Sequence, residues 1–529
     1  MKRCVYCLLV LALTLSVLPV MPALAEEGEE VTLTIGKAFN TQGTTFPEGH
    51  DAQNYNYYLD YAQQKANVKI EYSWFLADDS QKVTLAVASG NMPDVMLVDQ
   101  TTYNMLLESD MLQSLSQVYE TSGKGTLVDE VYSVYPESFQ SAKVGDELMA
   151  LPNAVAQYEH DVLWVRQDWL DKLGLEAPST LEELEEVARA FIEQDPDGNG
   201  EADTIGIGLS QEVFTPYNGN NCAGPIAAFY GAYPRMWYQK EDGSVIYGSV
   251  DAGTRSALEY LARLYKEGII DQEFAVRDLG EQLISGKCGL SYGRWAYATN
   301  ELQQSHAFDG ADWTPVLCPV DEEGNFHTRY RPPASQYVVV SKECAHPEKV
   351  IELINAEYAF HWYDDLDEEW TKKRQEYEEA GVPWGCMPIA VQLERTSIVE
   401  ERAQAFDQYL TTGERTGLST AVQGFLDSYD EYQKDPTKLT GWSWYKGMYQ
   451  CGMLATSDKN TFVSPVFWGT TETMEDVWTT LETMEIETFV KIVMGEAPIE
   501  EFDRFVEQWN ALGGEQVTSE VQALVDERG

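Results

Sequence analysis

Residues 80–99 read SQKVTLAVASGNMPDVMLVD, and the fold class follows from how this stretch divides. Its first half has helical character. Gly90-Asn91-Met92-Pro93 then breaks the helix, because proline fixes φ and has no N–H to donate. Val95–Val98 is an unbroken apolar run, the pattern of a strand buried on both faces. Upstream, VTLTIGKAFN (31–40) alternates like a strand and runs into a Gly/Thr-rich loop. YNYYLDYAQQKAN (55–67) reads as a helix and VKIEYSWFL (68–76) as a second strand. Strands alternating with helices predict a parallel α/β lobe.

A second αβ region begins near Leu151. DVLWVRQDWLDKLGL (161–175) predicts a strand and a short helix stopped at Gly174. In PSTLEELEEVARAFIEQ (178–194), Thr180 and Glu183 make a capping box. Leu181, Leu184, Val187, Ala188 and Phe191 share one apolar face of that helix. Beyond Ser256 helical patterns predominate, as in SALEYLARLYKEG, PEKVIELINAEY and residues 486–494. No internal repeat or low-complexity linker interrupts the chain. Two α/β lobes with more than one crossing are expected: 26–152 plus about 315–360, and 153–314 plus 361–529.

At 529 residues, 44% hydrophobic and 12% aromatic, the chain can bury two or three cores. Met1-Lys2-Arg3, an uncharged and mostly apolar run from Cys4, and Ala23-Leu24-Ala25 have the form of an export signal cleaved after Ala25. No later stretch approaches the roughly 20 apolar residues of a membrane helix. No Leu-x-x-Cys precedes the cleavage site, so a periplasmic or extracellular chain without a lipid anchor is expected. Formal charge is −51, which repels nucleic acid and anionic lipid. Cys4 and Cys7 leave with the signal. The remaining cysteines, 222, 288, 318, 344, 386 and 451, are too scattered for a zinc site and too few for a disulfide scaffold.

Gly289-Leu-Ser291-Tyr-Gly293 matches the G-x-S-x-G elbow of serine hydrolases, and His306, His327, His346 and His361 lie downstream. In a chain with 39 glycines so short a match carries little weight. Glycoside hydrolysis needs two carboxylates about 5–10 Å apart, and pairs such as Asp364-Asp365 or Glu368-Glu369 do not discriminate among 87 acidic residues. There is no H-E-x-x-H, Walker A loop or complete G-x-G-x-x-G.

The loop QDPDGNGEADTIGI (194–207) is more informative. Asp195, Asp197, Asn199, Glu201 and Asp203 fall on the alternating ligand positions of a calcium loop, with Gly200 at the sharp turn. These are hard oxygen donors suited to Ca²⁺. Gly206 stands where the bidentate glutamate would be, and TIGIGLS reads as a strand, so this is half an EF-hand. A structural Ca²⁺ site and an ion-free acidic turn are both compatible with it.

Taken together, ASGNMPDVMLVD (88–99), LMALPNAVAQYEHDVLWVRQDWLDKLGLEAPSTLEEL (148–184), ISGKCGLSYGRWAY (284–297) and VKIVMGEAPIEEFDRFVEQWNALGGEQVTSEV (490–521) resemble a known family. It is family 1 of the extracellular solute-binding proteins of ABC transporters, in particular the large oligosaccharide-binding branch with the alginate-binding proteins. The resemblance implies a two-lobed Venus-flytrap fold, a ligand in the interlobe cleft (a carbohydrate, with a non-sugar solute such as a peptide as the alternative), delivery to a membrane permease, no catalysis, and a monomeric chain. It implies structural Ca²⁺ in the 195–203 loop, though Thr204 replaces a carboxylate the branch carries. By similarity, Trp295 stacks a sugar with Arg294 beside it. Trp237, Tyr158, Glu159, Asp99 and Trp468 are candidate cleft residues, followed by Trp442 and Trp444. Aromatic platforms edged by polar groups are what a sugar ring requires.

Overall fold

Alternation in residues 31–38 turns Leu33 and Ile35 into a core while Thr32 and Ala38 stay exposed, and this strand anchors the first of two sheets. The structure is a computed structural model that describes residues 30–155, 161–215, 220–362, 366–394, 398–416, 418 and 420–528. The expected export signal, Tyr158 and Glu159 lie outside the described residues.

In chain order the relevant strands are β1 (Val31–Ala38), β2 (Val68–Leu76), β3 (Val95–Asp99), β4 (Leu151–Pro152), β5 (Val162–Arg166), β6 (Ile205–Ile207), β7 (Cys288–Gly293), β8 (Trp313–Val316), β9 (Phe326–Arg329), β10 (Gln336–Val340) and β11 (Asn460–Val463). The first sheet has the order β2-β1-β3-β10-β4. Its β1, β2 and β3 run parallel, and β10 lies antiparallel to both β3 and β4. The second sheet has the order β8-β5-β7-β6.

Helices α1 (Tyr57–Ala66), α2 (Ser80–Ser89) and α3 (Gln100–Glu108) follow the parallel strands in turn. Helices α4 (Leu181–Glu193) and α5 (Ala252–Lys266) belong to the second lobe. They are followed by α6 (Pro347–Trp362), α7 (Glu368–Ala380), α8 (Ile398–Thr412), α9 (Thr420–Lys434), α10 (Leu439–Trp444), α11 (Glu472–Val493), α12 (Glu500–Trp509) and α13 (Glu515–Arg528).

Two cores result. The first gathers Leu33, Val95, Tyr103 and Val338 with Leu59 of α1, Ile351 of α6, and Trp370 and Tyr377 of α7. The second gathers Leu163, Phe191, Leu258 and Leu290 with Phe489, Phe505 and Val517. Strand β5 is apolar throughout because it is buried on both faces: Leu163 and Val165 face this core, while Val162 and Trp164 face another with Trp313 and Trp442. Packing moves the expected lobe boundaries. Strand β8 pairs with β5 of the second sheet, and residues 370–393 bury their apolar side chains in the first core, not the second.

The capping box on α4 forms as expected, Thr180 Oγ1 accepting from Glu183 N at 3.2 Å and Glu183 Oε2 from Thr180 N at 3.2 Å. Its apolar face explains the serine-like motif. All of Gly289–Gly293 lies in β7, with no elbow. A Cβ on Gly289 would meet Phe191 of α4 at 2.4 Å, and one on Gly293 would meet Tyr297 at 2.4 Å. The glycines are there for close packing, and the buried Ser291 hydroxyl donates to Asn221 Oδ1 at 2.7 Å. The six cysteines from 222 to 451 are all buried free thiols. No helix among the described residues is long and apolar enough to cross a membrane.

Candidate functional site at the lobe junction

Three chain segments are laced together where the lobes meet. Asn153 Oδ1 accepts from the amides of Ser335 and Gln336 at 2.7 and 2.8 Å, and Asn153 N donates to Gln336 O at 2.8 Å. Ala154 N donates to Gln392 O at 3.0 Å and Ala154 O accepts from Glu394 N at 2.8 Å. Beside this seam lies a cavity of about 600 Å³. One wall is first-lobe packing, with Glu357 and His361 of α6 and the Trp384 loop. The other comes from Trp295, Arg402 of α8, Phe425 of α9 and Trp444 of α10. A second cavity, of about 330 Å³, shares Trp384 and Gln392 with it and reaches Lys37, Phe39, Val95 and Leu97. A third, of about 320 Å³, is lined by Asp99, Trp237, Trp468 and Ser335. Val95, Leu97 and Asp99 point to one face of β3, since side chains alternate along a strand. The second and third cavities therefore follow one another along that face.

Trp295 follows the end of β7 and lies half-buried in a short 3₁₀ turn. Its ring lies 6.5 Å from that of Trp444, tilted by 27°, and Phe425 packs on Trp444 at 4.4 Å. Trp384, 36% exposed, is the aromatic at the junction of the two larger cavities. Arg294 precedes Trp295, and its charge acts on the buried carboxyl of Asp161. Asp99 caps α3, Oδ1 accepting from Thr102 N at 2.8 Å, which uses one of its two oxygens. Trp468 has a buried indole N–H with no partner among the described residues.

Trp237 is brought to the third cavity but is only 5% exposed, packed among Tyr247, Trp478 and Trp509. It is core more than platform. Trp442, stacked on His306 at 4.5 Å and 8°, is buried and lines none of these cavities.

Glu357 and Lys37 escaped the sequence reading, and His361 entered it only as a histidine downstream of the serine motif. Glu357 is buried, with its carboxylate accepting from Ile389 N and Ala390 N at 2.7 and 2.8 Å. It thereby holds Ala390 at φ +62, a conformation unfavourable for a residue with a Cβ. Burial pushes Glu357 up to about 7, against the opposing effects of these bonds and of Lys37. Lys37 is pushed down to about 8, again chiefly by burial. His361 is held down to about 4 by burial and by the positive charges of Arg374 and Arg402. None of these belongs to a motif; only the tertiary packing of α6 against β1 and the 384–392 loop assembles them.

The acidic loop lies away from this junction, at the end of α4. Asp195 (φ +47), Gly198 and Gly200 all adopt left-handed conformations. Asp195 accepts from Gly198 N and Gly200 N at 3.1 and 3.0 Å. Asn199 Nδ2 donates to Asp197 Oδ2 at 2.8 Å and to Asp203 Oδ1 at 3.0 Å. Asp197 is raised by burial and by the neighbouring Asp195 and Asp203 carboxylates. Lys287 Nζ pairs with Asp203 at 2.8 Å and offsets part of that negative charge. Gly206 lies in β6, where a Cβ would meet Ile269 O at 2.7 Å, so the twelfth ligand is sterically excluded. Among the described residues no group of three or more Asp, Glu, His or Cys side chains is placed to hold a metal ion, so the loop takes the form of a self-bonded acidic turn here.

A binding protein with two α/β lobes joined by a multi-segment hinge, and with aromatic and polar cavities at their junction, is the class this geometry defines. The chain belongs to the bacterial extracellular solute-binding protein family, whose profile matches residues 46–356. It is similar to lipoprotein LipO of Bacillus subtilis, 29% identical over 243 residues that make up 42% of this chain and 43% of LipO. It is also similar to the fructooligosaccharide ABC transporter substrate-binding protein FusA of Streptococcus pneumoniae, 24% identical over 361 residues and 63% of each chain. The chain thus matches between two-fifths and two-thirds of the length of these curated relatives. Among solved structures, alginate-binding protein AlgQ2 without calcium ion superposes with a TM-score of 0.59 at 16% identity, covering 94% of this chain and 98% of that one. The fold is therefore the two-lobed flytrap.

Proposed function

We propose that the protein is an extracytoplasmic receptor that captures an oligosaccharide between its lobes and delivers it to the permease of an ABC importer, without chemical turnover. The observation that carries this reading is the stacking of Trp295 and Trp444 on one wall of a cavity that Gln392 and Glu394 also line. Ring faces stack on such platforms while hydroxyls bond the polar rim. The sugar-binding names of FusA and AlgQ2 point the same way. Trp295, Trp444 and Trp384 supply the stacking surfaces. Asp99 and Trp468 offer an acceptor and a donor at the far end, Arg294 adjoins Trp295 in sequence, and Tyr158 and Glu159 are further candidates for ligand contact.

The chain works as an exported monomer, with its signal removed after Ala25. One lobe comprises residues 26–154 and about 330–393, and the other the remainder of the mature chain. The 195–203 loop holds structural Ca²⁺ through Asp195, Asp197, Asn199 and Asp203, with Glu201 contributing its backbone carbonyl. There the ion braces the end of α4 against β6 and takes no part in sugar capture.

The test is a thermal-shift screen of the mature chain over an oligosaccharide panel, followed by chromatography of the incubated sugars. We expect one or more sugars to raise the melting temperature and to be recovered intact. Release of cleaved product would overturn the receptor reading, and a shift only with peptides or other solutes would overturn the sugar.

A further inference from the structure

We propose that Glu357 is a positioning residue for the ligand: with Lys37 it grips one peptide group from both ends and holds the 384–392 strap in the shape that presents Trp384 and Gln392 to the sugar. This rests on the oligosaccharide reading above and adds to it a residue that acts through the strap. The peptide in question joins Ile389 to Ala390. Its carbonyl accepts from Lys37 Nζ at 3.4 Å, and its N–H donates to Glu357 Oε2 at 2.8 Å. The other Glu357 oxygen accepts from Ile389 N at 2.7 Å. Both side chains are buried, and they come from different elements, β1 and α6.

The orientation of that peptide group sets the backbone of Ala390, whose φ of +62 lies in the left-handed region. A residue with a Cβ enters that region at a cost of about tenfold or more in population. The strap therefore keeps its shape because the two side chains hold it. The shape matters because the strap divides two cavities, those of about 600 and 330 Å³, and Trp384 and Gln392 line both. Its ends are fitted as well. A Cβ on Gly385 would collide with the Phe39 ring, and Gln392 O accepts from Ala154 N at 3.0 Å. With the Glu357 grip released, the binding-competent strap becomes a minor conformer, and apparent affinity falls in proportion to its population.

The experiment measures binding and hydrogen exchange on the full mature chain and on Glu357→Gln, Ala390→Gly and the double variant. The probes are fructo-, malto-, xylo- and galacto-oligosaccharides, titrated by calorimetry. In Glu357→Gln one acceptor becomes an NH₂ donor facing a backbone N–H, so the strap is released while side-chain volume is kept. We expect sugar affinity to fall at least about tenfold and exchange across 384–392 to quicken. Glycine adopts the left-handed conformation freely, so in the Ala390→Gly background the same substitution should cost less than about threefold. Loss of a direct sugar contact would not be rescued in this way. An unchanged affinity in Glu357→Gln, or an equal loss in both backgrounds, overturns the proposal. If Glu357→Gln does not fold, exchange in the native chain decides: slow Ile389 and Ala390 amides support the grip, and exchange there as fast as in a free peptide overturns it. If the native chain binds none of the sugars, the oligosaccharide reading fails, and exchange judges the grip on its own. Quickening across 384–392 in Glu357→Gln then supports it, and no change overturns it.

Discussion

Trp442 and Trp444 stand two residues apart on one short helix, yet the structure sends them to opposite fates. Trp442 is 2% exposed and stacked on His306; Trp444 turns its ring toward Trp295. Sequence spacing separates their faces but cannot say which face is covered, because the covering residue arrives from more than a hundred positions away. Substitution makes the difference measurable. Trp295→Ala and Trp444→Ala should each weaken sugar binding by about ten- to a hundredfold, or about 1.4–2.8 kcal/mol, with a smaller effect on melting. Trp442→Ala should instead cost about 3–5 kcal/mol of stability. Calorimetry and thermal melts on the three variants would sort them, and a binding defect confined to Trp442→Ala would refute the assignment.

The acidic loop 195–203 can be tested in the same way. If Ca²⁺ is bound at a concentration about a hundred times its Kd, it adds about 2.7 kcal/mol. Chelation should therefore lower the melting temperature of the native chain and leave that of Asp197→Ala unchanged. Equal responses in both proteins would remove the ion from the loop.

At the level of elements, much was legible beforehand. The helix 181–193 was readable from Thr180, Glu183 and a five-residue apolar face, because caps and periodicity are local signals. Thr180→Ala should cost about 1 kcal/mol in chemical denaturation. The paired glycines of β7 were readable as a motif but not as its cause. Gly289 needs to be small because Phe191 and Trp169, on other elements, would stand 2.4 and 2.8 Å from a Cβ there. Gly289→Ala should therefore cost about 1–3 kcal/mol; a neutral substitution would show that the rings move aside freely. The hinge left no trace in local pattern. Asn153 is an unremarkable residue in a Pro-Asn turn until two amides from residues 335 and 336 converge on its side chain.

On the scale of the whole molecule, the two-lobe plan was visible as αβ alternation restarting near Leu151. The lobe boundaries were not, since the helix at 368–380 and the loop that follows it carry no pattern that says which core they join. Sugar capture between lobes predicts a smaller radius of gyration in solution scattering once the correct ligand saturates; an unchanged profile would argue for a cleft already closed.

The interior predicts an acid dependence as well. Burial holds Asp161 at about 6 and Glu357 and Glu485 at about 7, so each binds its proton more tightly folded than unfolded. Their stabilising contribution is complete below the ordinary carboxylate range near 4 and is lost as pH rises through 6 to 7. Between about pH 5 and pH 8 the wild-type chain should lose more stability than Glu485→Gln. Parallel melting curves would contradict this.

The order of the first sheet bears on how the chain is made. Strand β10, residues 336–340, lies between β3 and β4, so nothing shorter than about two-thirds of the chain can complete that sheet. A polypeptide emerging in sequence order presents β3 with an open edge throughout synthesis of residues 100–335, and open edges invite mispairing.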